Sequence, residues 1–156
     1  MQKPDNKNSF IKYEQIEHLS DVMIKAYGKN IKELFENAAE GMFSLMTNLD
    51  KVKKTIKKEI IININTKIEP EDLLIAWLEK LLYLCEVEST IFSSFNIRDF
   101  KNNSRQSSIS ALIKGEKINL KKHEIFLQIK APTYHCLNIL QENKKGVYSA
   151  EIIFDI

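Results

Sequence analysis

The sequence predicts a single domain of the α+β class, with two main helices packed on an antiparallel or mixed sheet. Two segments have the i, i+3, i+4, i+7 apolar spacing of amphipathic helices. The other apolar segments mostly alternate polar and apolar residues, as half-buried strands do, and short polar turns join them. A chain of 156 residues without an internal repeat or a linker fits one domain.

The composition excludes few functions. A formal net charge of +2, from 23 basic and 21 acidic residues, neither predicts nor excludes nucleic-acid binding. Cys85 and Cys136 lack metal-ligand spacing and favour a reducing compartment over a disulfide scaffold. No apolar run approaches the roughly 20 residues of a membrane span, and residues 1–12 form a polar leader without a signal region. We therefore expect a soluble, cytoplasmic protein.

The chain begins with extended segments over residues 13–28, of which residues 21–28 form the clearer strand. Its alternating apolar residues are Val22, Ile24 and Ala26. His18 and Asp21 are three residues apart, so a continuous strand would point them to opposite faces. Only a bend at residues 19–20 would bring both into one site.

Two helices follow, separated by a strand. The first is predicted over residues 30–46, with Asn30 as N-cap and Glu33 at the capping-box position. Its apolar stripe comprises Ile31, Leu34, Phe35, Ala38, Ala39, Met42, Phe43 and Met46. The second helix is predicted over residues 70–86, because Pro70 suits a first helical position.

The remaining elements are predicted as strands and connections. Residues 51–58 hold five lysines and are predicted as a solvated connection. Strands are predicted over residues 59–65, 91–100, 108–114, 124–130 and 137–140. Gly115 and residues 143–146 mark turns, and residues 118–123 a loop. Pro132 interrupts a strand because it cannot donate a ladder hydrogen bond.

The chain ends in a predicted strand that carries paired anions. The alternating residues are Tyr148, Ala150, Ile152, Phe154 and Ile156. The Ile156 carboxylate follows Asp155 after about 3.4 Å of strand rise. Two anions this close are costly unless they are solvated, protonated or bridged by a cation. The residues leave two alternatives open: a solvated strand end, or a hard-cation site that needs one more acidic residue.

No catalytic motif is present in the sequence. It lacks a glycine-rich phosphate loop, a zinc-spaced Cys/His set and a Gly-x-Ser-x-Gly elbow. His18, His123 and His135 are scattered, and no spacing pairs any of them with a nucleophile. The spacing of residues therefore does not support an enzyme.

Five segments, in order and sensibly spaced, resemble the archease family: residues 16–22, 34–42, 71–83, 130–135 and 153–156. Residues 16–22 resemble an E-H-T-A-D signature, with Leu-Ser in place of Thr-Ala. Residues 130–135 match a K-A-x-T-Y-H segment, and residues 153–156 match a terminal aspartate followed by one aliphatic residue. The resemblance implies an archease-like domain over residues 13–156, built on a strand-helix-strand-strand module.

The resemblance implies a protein cofactor with no catalytic activity of its own. Its partner would be the tRNA-splicing RNA ligase, which joins RNA ends bearing a 3′-phosphate. The protein would promote guanylylation of that ligase, permit multiple turnover and broaden nucleotide use in tRNA splicing and RNA repair. It would reach RNA only through the ligase, with no membrane involved.

The resemblance also implies a metal site formed by Asp21, Asp155 and Ile156. Asp21 would supply the third acidic group, and His18 would either orient it or be structural. Oxygen donors suit calcium or magnesium better than zinc, and calcium is the expected cation. Three contributors leave calcium short of its usual roughly 6–8 ligands, so the site would be open.

Two other functions remain as alternatives. A metal-dependent phosphoester hydrolase could use the same carboxylates, but it would need a deep pocket and a general base. An RNA-binding or chaperone-like module could use the lysines of residues 51–58. No aromatic residue interleaves with those lysines.

Overall fold

The computed structural model describes residues 10–17, 21–142 and 146–156. It confirms an α+β domain in which two helices pack on antiparallel sheets. The helices are α1 (Ile31–Met46) and α2 (Pro70–Glu88). The strands are β1 (Tyr13–Glu17), β2 (Val22–Gly28), β3 (Ile56–Ile64), β4 (Thr90–Asn102), β5 (Ser107–Lys117), β6 (Ala131–Pro132), β7 (Ile139–Glu142) and β8 (Val147–Asp155).

The first sheet is organised around β8. Its order is β1-β2-β8-β6, and β7 pairs with the other end of β8. The predicted alternation of the last strand is confirmed on its inward face, where Ala150, Ile152 and Phe154 are buried. Ile24 and Ala26 of β2 lie directly opposite Ile152 and Ala150. These four side chains share one face of the sheet and form part of the core.

The second sheet has the order β3-β5-β4 and is also antiparallel. Ile109, Ala111 and Ile113 of β5 are buried, as their alternation predicted. β3 begins at Ile56, earlier than predicted, so Lys57 and Lys58 belong to a strand rather than to a connection.

Helix α1 forms where the sequence predicts it. The Asn30 side chain accepts a hydrogen bond of 2.8 Å from the Glu33 N–H, which caps the helix. The Glu33 carboxylate accepts in turn from the N–H of Lys29, one residue before the cap. The helix contacts the first sheet closely at Gly41, where an added Cβ would lie 2.8 Å from the Ile24 side chain.

Helix α2 completes the core. Pro70 is its first residue, as predicted, and Ser89 ends it with a left-handed φ of 48°. The Trp77 indole N–H donates to the Phe35 carbonyl oxygen at 2.9 Å, inside the core. This bond ties α2 to α1 and satisfies a polar group that would be costly to bury alone.

The strand predicted over residues 124–130 is wrong. This segment has no ladder partner within the described residues. The Phe126 N–H donates to the Met46 oxygen at the end of α1, and the Lys130 N–H donates to the Asp155 oxygen, both at 2.8 Å. Pairing occurs instead at residues 131–132, where an interruption was predicted. Pro132 is tolerated there because it lies on a sheet edge.

The turn predicted at Gly115 is also wrong, because β5 continues through it to Lys117. Gly115 is opposite Phe92, beside a register shift between Phe92 and Ser94. An added Cβ would lie 1.9 Å from the Ile91 carbonyl oxygen. The glycine is therefore required by a close approach of two backbones and not by a turn.

Several predictions concern residues outside the described part of the chain. They include residues 1–9 of the leader and residues 143–145 of the last turn. Residues 10–12 are described, and the Lys12 oxygen accepts from the Tyr27 N–H at 2.8 Å. The boundary between leader and domain stays a prediction. Within the described ranges, neither helix is both long and apolar enough to span a bilayer.

Replacing Gly115 by alanine should destabilise the fold. We expect Gly115→Ala to lower the free energy of unfolding by about 3 kcal/mol, the upper end of the overpacking range, because the new Cβ meets backbone. Urea unfolding followed by circular dichroism measures this. Ser110→Ala in the same strand is the control and should change stability by less than about 0.5 kcal/mol. Equal effects of the two substitutions would contradict the close-approach explanation.

Candidate functional site

The β2–β8 ladder brings Asp21 beside Asp155. The ladder runs from Gly28 opposite Tyr148 to Val22 opposite Phe154. Continued by one residue, this register sets Asp21 opposite Asp155, on the sheet face away from the core. Asp155 is exposed, and Asp21 is half-buried. The structure thus places two of the three predicted site residues at the same end of the sheet.

Ile156 lies at the same strand end. It follows Asp155 directly, and its side chain is about half exposed. On the other side of β8, Ala131 is opposite Asp155, and the Lys130 N–H donates to the Asp155 carbonyl oxygen. The last residues of β8 are therefore held by backbone bonds from both sides. The K-A-x-T-Y-H motif distinguished residues 130–135 in the sequence, but it did not predict the hydrogen bond from Lys130 to Asp155.

The donor chemistry of the strand end fits a hard cation. Its contributors are the Asp21 and Asp155 carboxylates and the Ile156 carboxylate, all oxygen donors. Nearby, Thr133 adds a buried hydroxyl oxygen that has no hydrogen-bond partner among the described residues. Within the described ranges, no group of three His, Cys, Asp or Glu side chains could hold a metal. The predicted set therefore has two side-chain carboxylates, those of Asp21 and Asp155, and its third predicted member is Ile156.

Among the described histidines, His123 is engaged by residues outside the predicted site. His18 lies outside the described residues, so its predicted relation to Asp21 stays a prediction. His135 is exposed. His123 is buried, its Nδ1 accepts from the Asn119 N–H at 3.0 Å, and its Nε2 lies 2.8 Å from the Glu116 carboxylate. The proton of the neutral ring is therefore on Nε2, and both ring nitrogens are occupied structurally.

Glu116 is the anchor of this histidine and of the loop that follows β5. Its carboxylate pairs with the Lys122 ammonium and accepts from the Lys53 N–H at 2.9 Å and from His123. Lys122 first, then the Lys53 N–H, lower the pKa of Glu116 to about 2. Three donors thus bind one carboxylate. Two of them, Lys122 and His123, belong to the loop after β5, so these bonds hold the beginning of the segment that leads to Lys130.

An apolar groove, which the sequence does not predict, adjoins the strand end. It has a volume of about 790 Å³ and lies between α2 and the segment of residues 118–131. Leu82, Ile125 and Leu127 line it, and Lys130 and Ala131 connect it to the Asp155 end of β8. Residue periodicity cannot predict this groove, because one wall is formed by a segment without ladder partners, and its path depends on tertiary contacts.

The groove offers no reactive thiol. Cys85 lines it, but burial raises the pKa of that thiol to about 11. A thiol with so high a pKa is almost entirely protonated near neutral pH and is a poor nucleophile. The described residues of the groove therefore do not supply nucleophilic catalysis by cysteine.

The lysine cluster of residues 51–58 is divided between different environments. Lys58 pairs with Glu88 of α2, whereas Lys51, Lys53, Lys54 and Lys57 are exposed. Lys51 ends a short 3₁₀ turn, and Lys57 lies on β3. The exposed lysines thus border the second sheet, whereas the paired aspartates end the first.

The fold and this strand end define a small α+β domain with an acidic, oxygen-rich site and no nucleophile–base pair among its described residues. Comparison with known proteins identifies the family. Residues 13–156 match the model of the archease protein family, so the chain belongs to the archease family.

Individual relatives agree over nearly the whole chain. The chain is 37% identical over 145 residues to protein archease of Methanosarcina mazei, covering 93% of this chain and 96% of the relative. It is 38% identical over 146 residues to protein archease of Sulfurisphaera tokodaii, covering 93% and 99%. The solution structure of protein 1598 of Methanobacterium thermoautotrophicum superposes with a TM-score of 0.78 at 30% identity, covering 93% of this chain and 99% of that one.

The Glu116 anchor should make stability depend on pH. The pKa of Glu116 is about 2 when folded, against an ordinary 4.5, so its stabilisation is complete above about pH 4.5 and is lost as the pH falls towards 2. We expect Glu116→Gln to lower the free energy of unfolding at pH 7 and to reduce the further loss of stability as the pH falls towards 2. Urea midpoints measured between pH 7 and pH 2 test it. Glu59→Gln, which removes an exposed carboxylate, is the control and should show the same dependence of the urea midpoint on pH as the wild type. The wild-type dependence in Glu116→Gln would contradict the stabilising role of Glu116.

Proposed function

We propose that this protein activates the tRNA-splicing RNA ligase through a cation site at the end of β8. The observation that carries the proposal is the register that sets Asp21 opposite Asp155, in a chain of the archease family. Family membership supports the role of a protein cofactor rather than a catalyst. The activator promotes guanylylation of the ligase and its multiple turnover, and it broadens its nucleotide use.

Asp21, Asp155 and the Ile156 carboxylate would hold the cation. Calcium usually takes roughly 6–8 oxygen ligands, and these three residues leave some of them to water or to a partner. Magnesium is the alternative, with a stricter octahedral geometry. When bound, the cation supplies positive charge and open coordination positions at an exposed strand end.

The chain's own contribution is the rigidity of the strand end. Phe154 pairs with Val22 of β2, and Asp155 pairs with Ala131 and accepts a hydrogen bond from the Lys130 N–H. The backbone at Asp155 is therefore ordered before a partner docks, which limits the conformational entropy lost on docking. We infer that this acidic end engages the ligase near its metal and nucleotide centre. The protein remains cytoplasmic in this proposal and contacts RNA only through the ligase.

A hydrolase that uses the same carboxylates is less well supported. Asp155 and Ile156 are exposed rather than set in a deep pocket, and both ring nitrogens of His123 are engaged by Asn119 and Glu116. The activator proposal predicts no turnover of generic phosphoester substrates by the protein alone.

RNA binding through residues 51–58 is the other alternative. Four of the five lysines are exposed, which suits phosphate contacts, but one pairs with Glu88. Direct RNA binding that weakens steeply with salt, without any ligase present, would favour this alternative.

Removing one carboxylate should weaken cation binding. We expect Asp155→Asn to raise the dissociation constant for calcium by at least about tenfold, because a charged ligand becomes neutral. Calorimetric titration of metal-free protein with calcium and magnesium measures it. Glu151→Gln is the matched control, since Glu151 is exposed on the same strand and face, and it should bind like wild type. Equal affinities of the two variants would contradict the site.

The same residues should control ligase activation. In multiple-turnover ligation of a 3′-phosphate RNA by the cognate ligase with GTP and manganese, substoichiometric wild-type protein should raise the rate. Asp21→Asn and Asp155→Asn should reduce activation by more than about tenfold, the size of a hot-spot contact. Glu151→Gln should activate fully. Full activation by either aspartate variant, with the fold intact by circular dichroism, would contradict the proposal.

A further inference from the structure

The hydroxyl of Thr133 is a buried polar group that the fold itself does not use. Its Oγ1 is shielded from solvent and is the one buried side-chain oxygen or nitrogen without a hydrogen-bond partner among the described residues. The hydroxyls of Thr47 and Thr90, by contrast, donate to backbone carbonyl oxygens at 2.7 Å and 3.0 Å. Burying a hydroxyl without a hydrogen bond is costly, so this exception calls for an explanation.

Backbone pairing places Thr133 beside the end of β8. Ala131 is opposite Asp155, and the Thr133 N–H donates to the Ile153 carbonyl oxygen at 2.9 Å. This bond continues the pairing beyond β6 and sets Thr133 opposite Ile153. Residues two apart on a strand share a face, so Thr133 lies on the same face as Ala131 and Asp155. That face is also the one on which the β2–β8 register sets Asp21.

One cation can contact both the Thr133 hydroxyl and the Asp155 carboxylate. The two residues are diagonal neighbours, and the Cβ atoms of such neighbours lie about 7–8 Å apart or somewhat less. The oxygen atoms of both side chains extend from Cβ and shorten this gap. Two ligands of one calcium ion can lie up to about 5 Å apart, since each calcium–oxygen distance is about 2.3–2.6 Å. Ala131 has only a methyl side chain beside Asp155, so no large side chain of β6 fills the space between them.

We propose that the Thr133 hydroxyl oxygen is a further ligand of the cation held by Asp21, Asp155 and Ile156. The inference rests on the proposed cation site and adds a residue to it. A hydroxyl contributes a hard oxygen without adding negative charge to a site that already contains two aspartates. Calcium takes more ligands than magnesium, which keeps several of its waters, so a further protein oxygen favours calcium.

The surroundings of Thr133 prepare its hydroxyl for this role. Threonine is branched at Cβ, which restricts its χ1 angle, and its backbone N–H is already bonded to β8. Little side-chain entropy is therefore lost when the oxygen binds a cation. No hydrogen bond to another described residue has to be broken first. The cation would satisfy a group that is otherwise buried without a partner.

Calorimetric titration with calcium tests the role of the hydroxyl. Thr133→Val keeps the shape of the side chain and removes the oxygen. It should raise the calcium dissociation constant by roughly tenfold, the lower end of the loss when a residue that supports a metal site is replaced. The magnesium dissociation constant should rise less. Thr133→Ser restores the hydroxyl and should bind calcium more tightly than Thr133→Val, close to wild type.

Urea unfolding of the metal-free variants separates this role from a structural one. Metal-free Thr133→Val should be at least as stable as wild type, because the substitution breaks no hydrogen bond and removes a buried polar group. With calcium present, wild type should gain more stability than the variant, because it binds the cation more tightly. Thr47→Val is the matched control. It removes the bond to the Glu124 carbonyl oxygen, so it should lower the metal-free stability and leave calcium affinity unchanged.

Each contrary result has a distinct meaning. Wild-type calcium affinity in Thr133→Val, with weakened binding in Asp155→Asn, would overturn the role of Thr133 and leave the cation site standing. Wild-type protein that binds neither calcium nor magnesium would overturn both proposals. Metal-free Thr133→Val that is destabilised as much as Thr47→Val, or does not fold, would show that the hydroxyl is structural and would also overturn the inference.

Discussion

The antiparallel pairing of β2 with β8 is the constraint on which the rest of the structure depends. It joins distant parts of the chain and provides the surface that α1 covers, through Ile24, Ala26, Ala150 and Ile152. A slip of one residue would turn these buried side chains to the outer face. Burial therefore enforces the register, and the register sets Asp21 opposite Asp155. In this protein the core determines the geometry of the candidate site.

The helices could be predicted because their signals are local. The stripe of α1, the Asn30 cap and Pro70 of α2 act within a few residues, and the structure confirms them. The alternation over residues 124–130 predicted a strand, but the structure has no strand there. N–H groups of this segment bond to the end of α1 and to β8, which periodicity cannot show. Gly115 is required by a contact with Ile91, a residue far from it in sequence.

The residues of the candidate site differ in how far the sequence alone predicts them. The alternation of the last strand predicted paired anions at Asp155 and Ile156, but it left open whether they are solvated or bind a cation. Asp21 followed only from resemblance, since nothing local relates it to the end of the chain. The apolar groove and the bond from Lys130 to Asp155 could not be predicted, because they depend on the path of an unpaired segment. Residues 51–58 were predicted as a solvated connection, with RNA binding as the alternative, and among the described residues Lys58 pairs with the Glu88 carboxylate.

The central position of β8 also has a consequence for biosynthesis. Translation produces β2 and α1 early, but the strand that lies between β2 and β6 emerges last of all the described elements. Until β8 leaves the ribosome, one edge of β2 is open and part of the apolar face of α1 is uncovered. Pairing between segments so distant in sequence is slow, because the loop-closure entropy is lost before the contacts form. Until β8 has been synthesised, the nascent chain therefore exposes an open strand edge and apolar surface, which are features that promote aggregation.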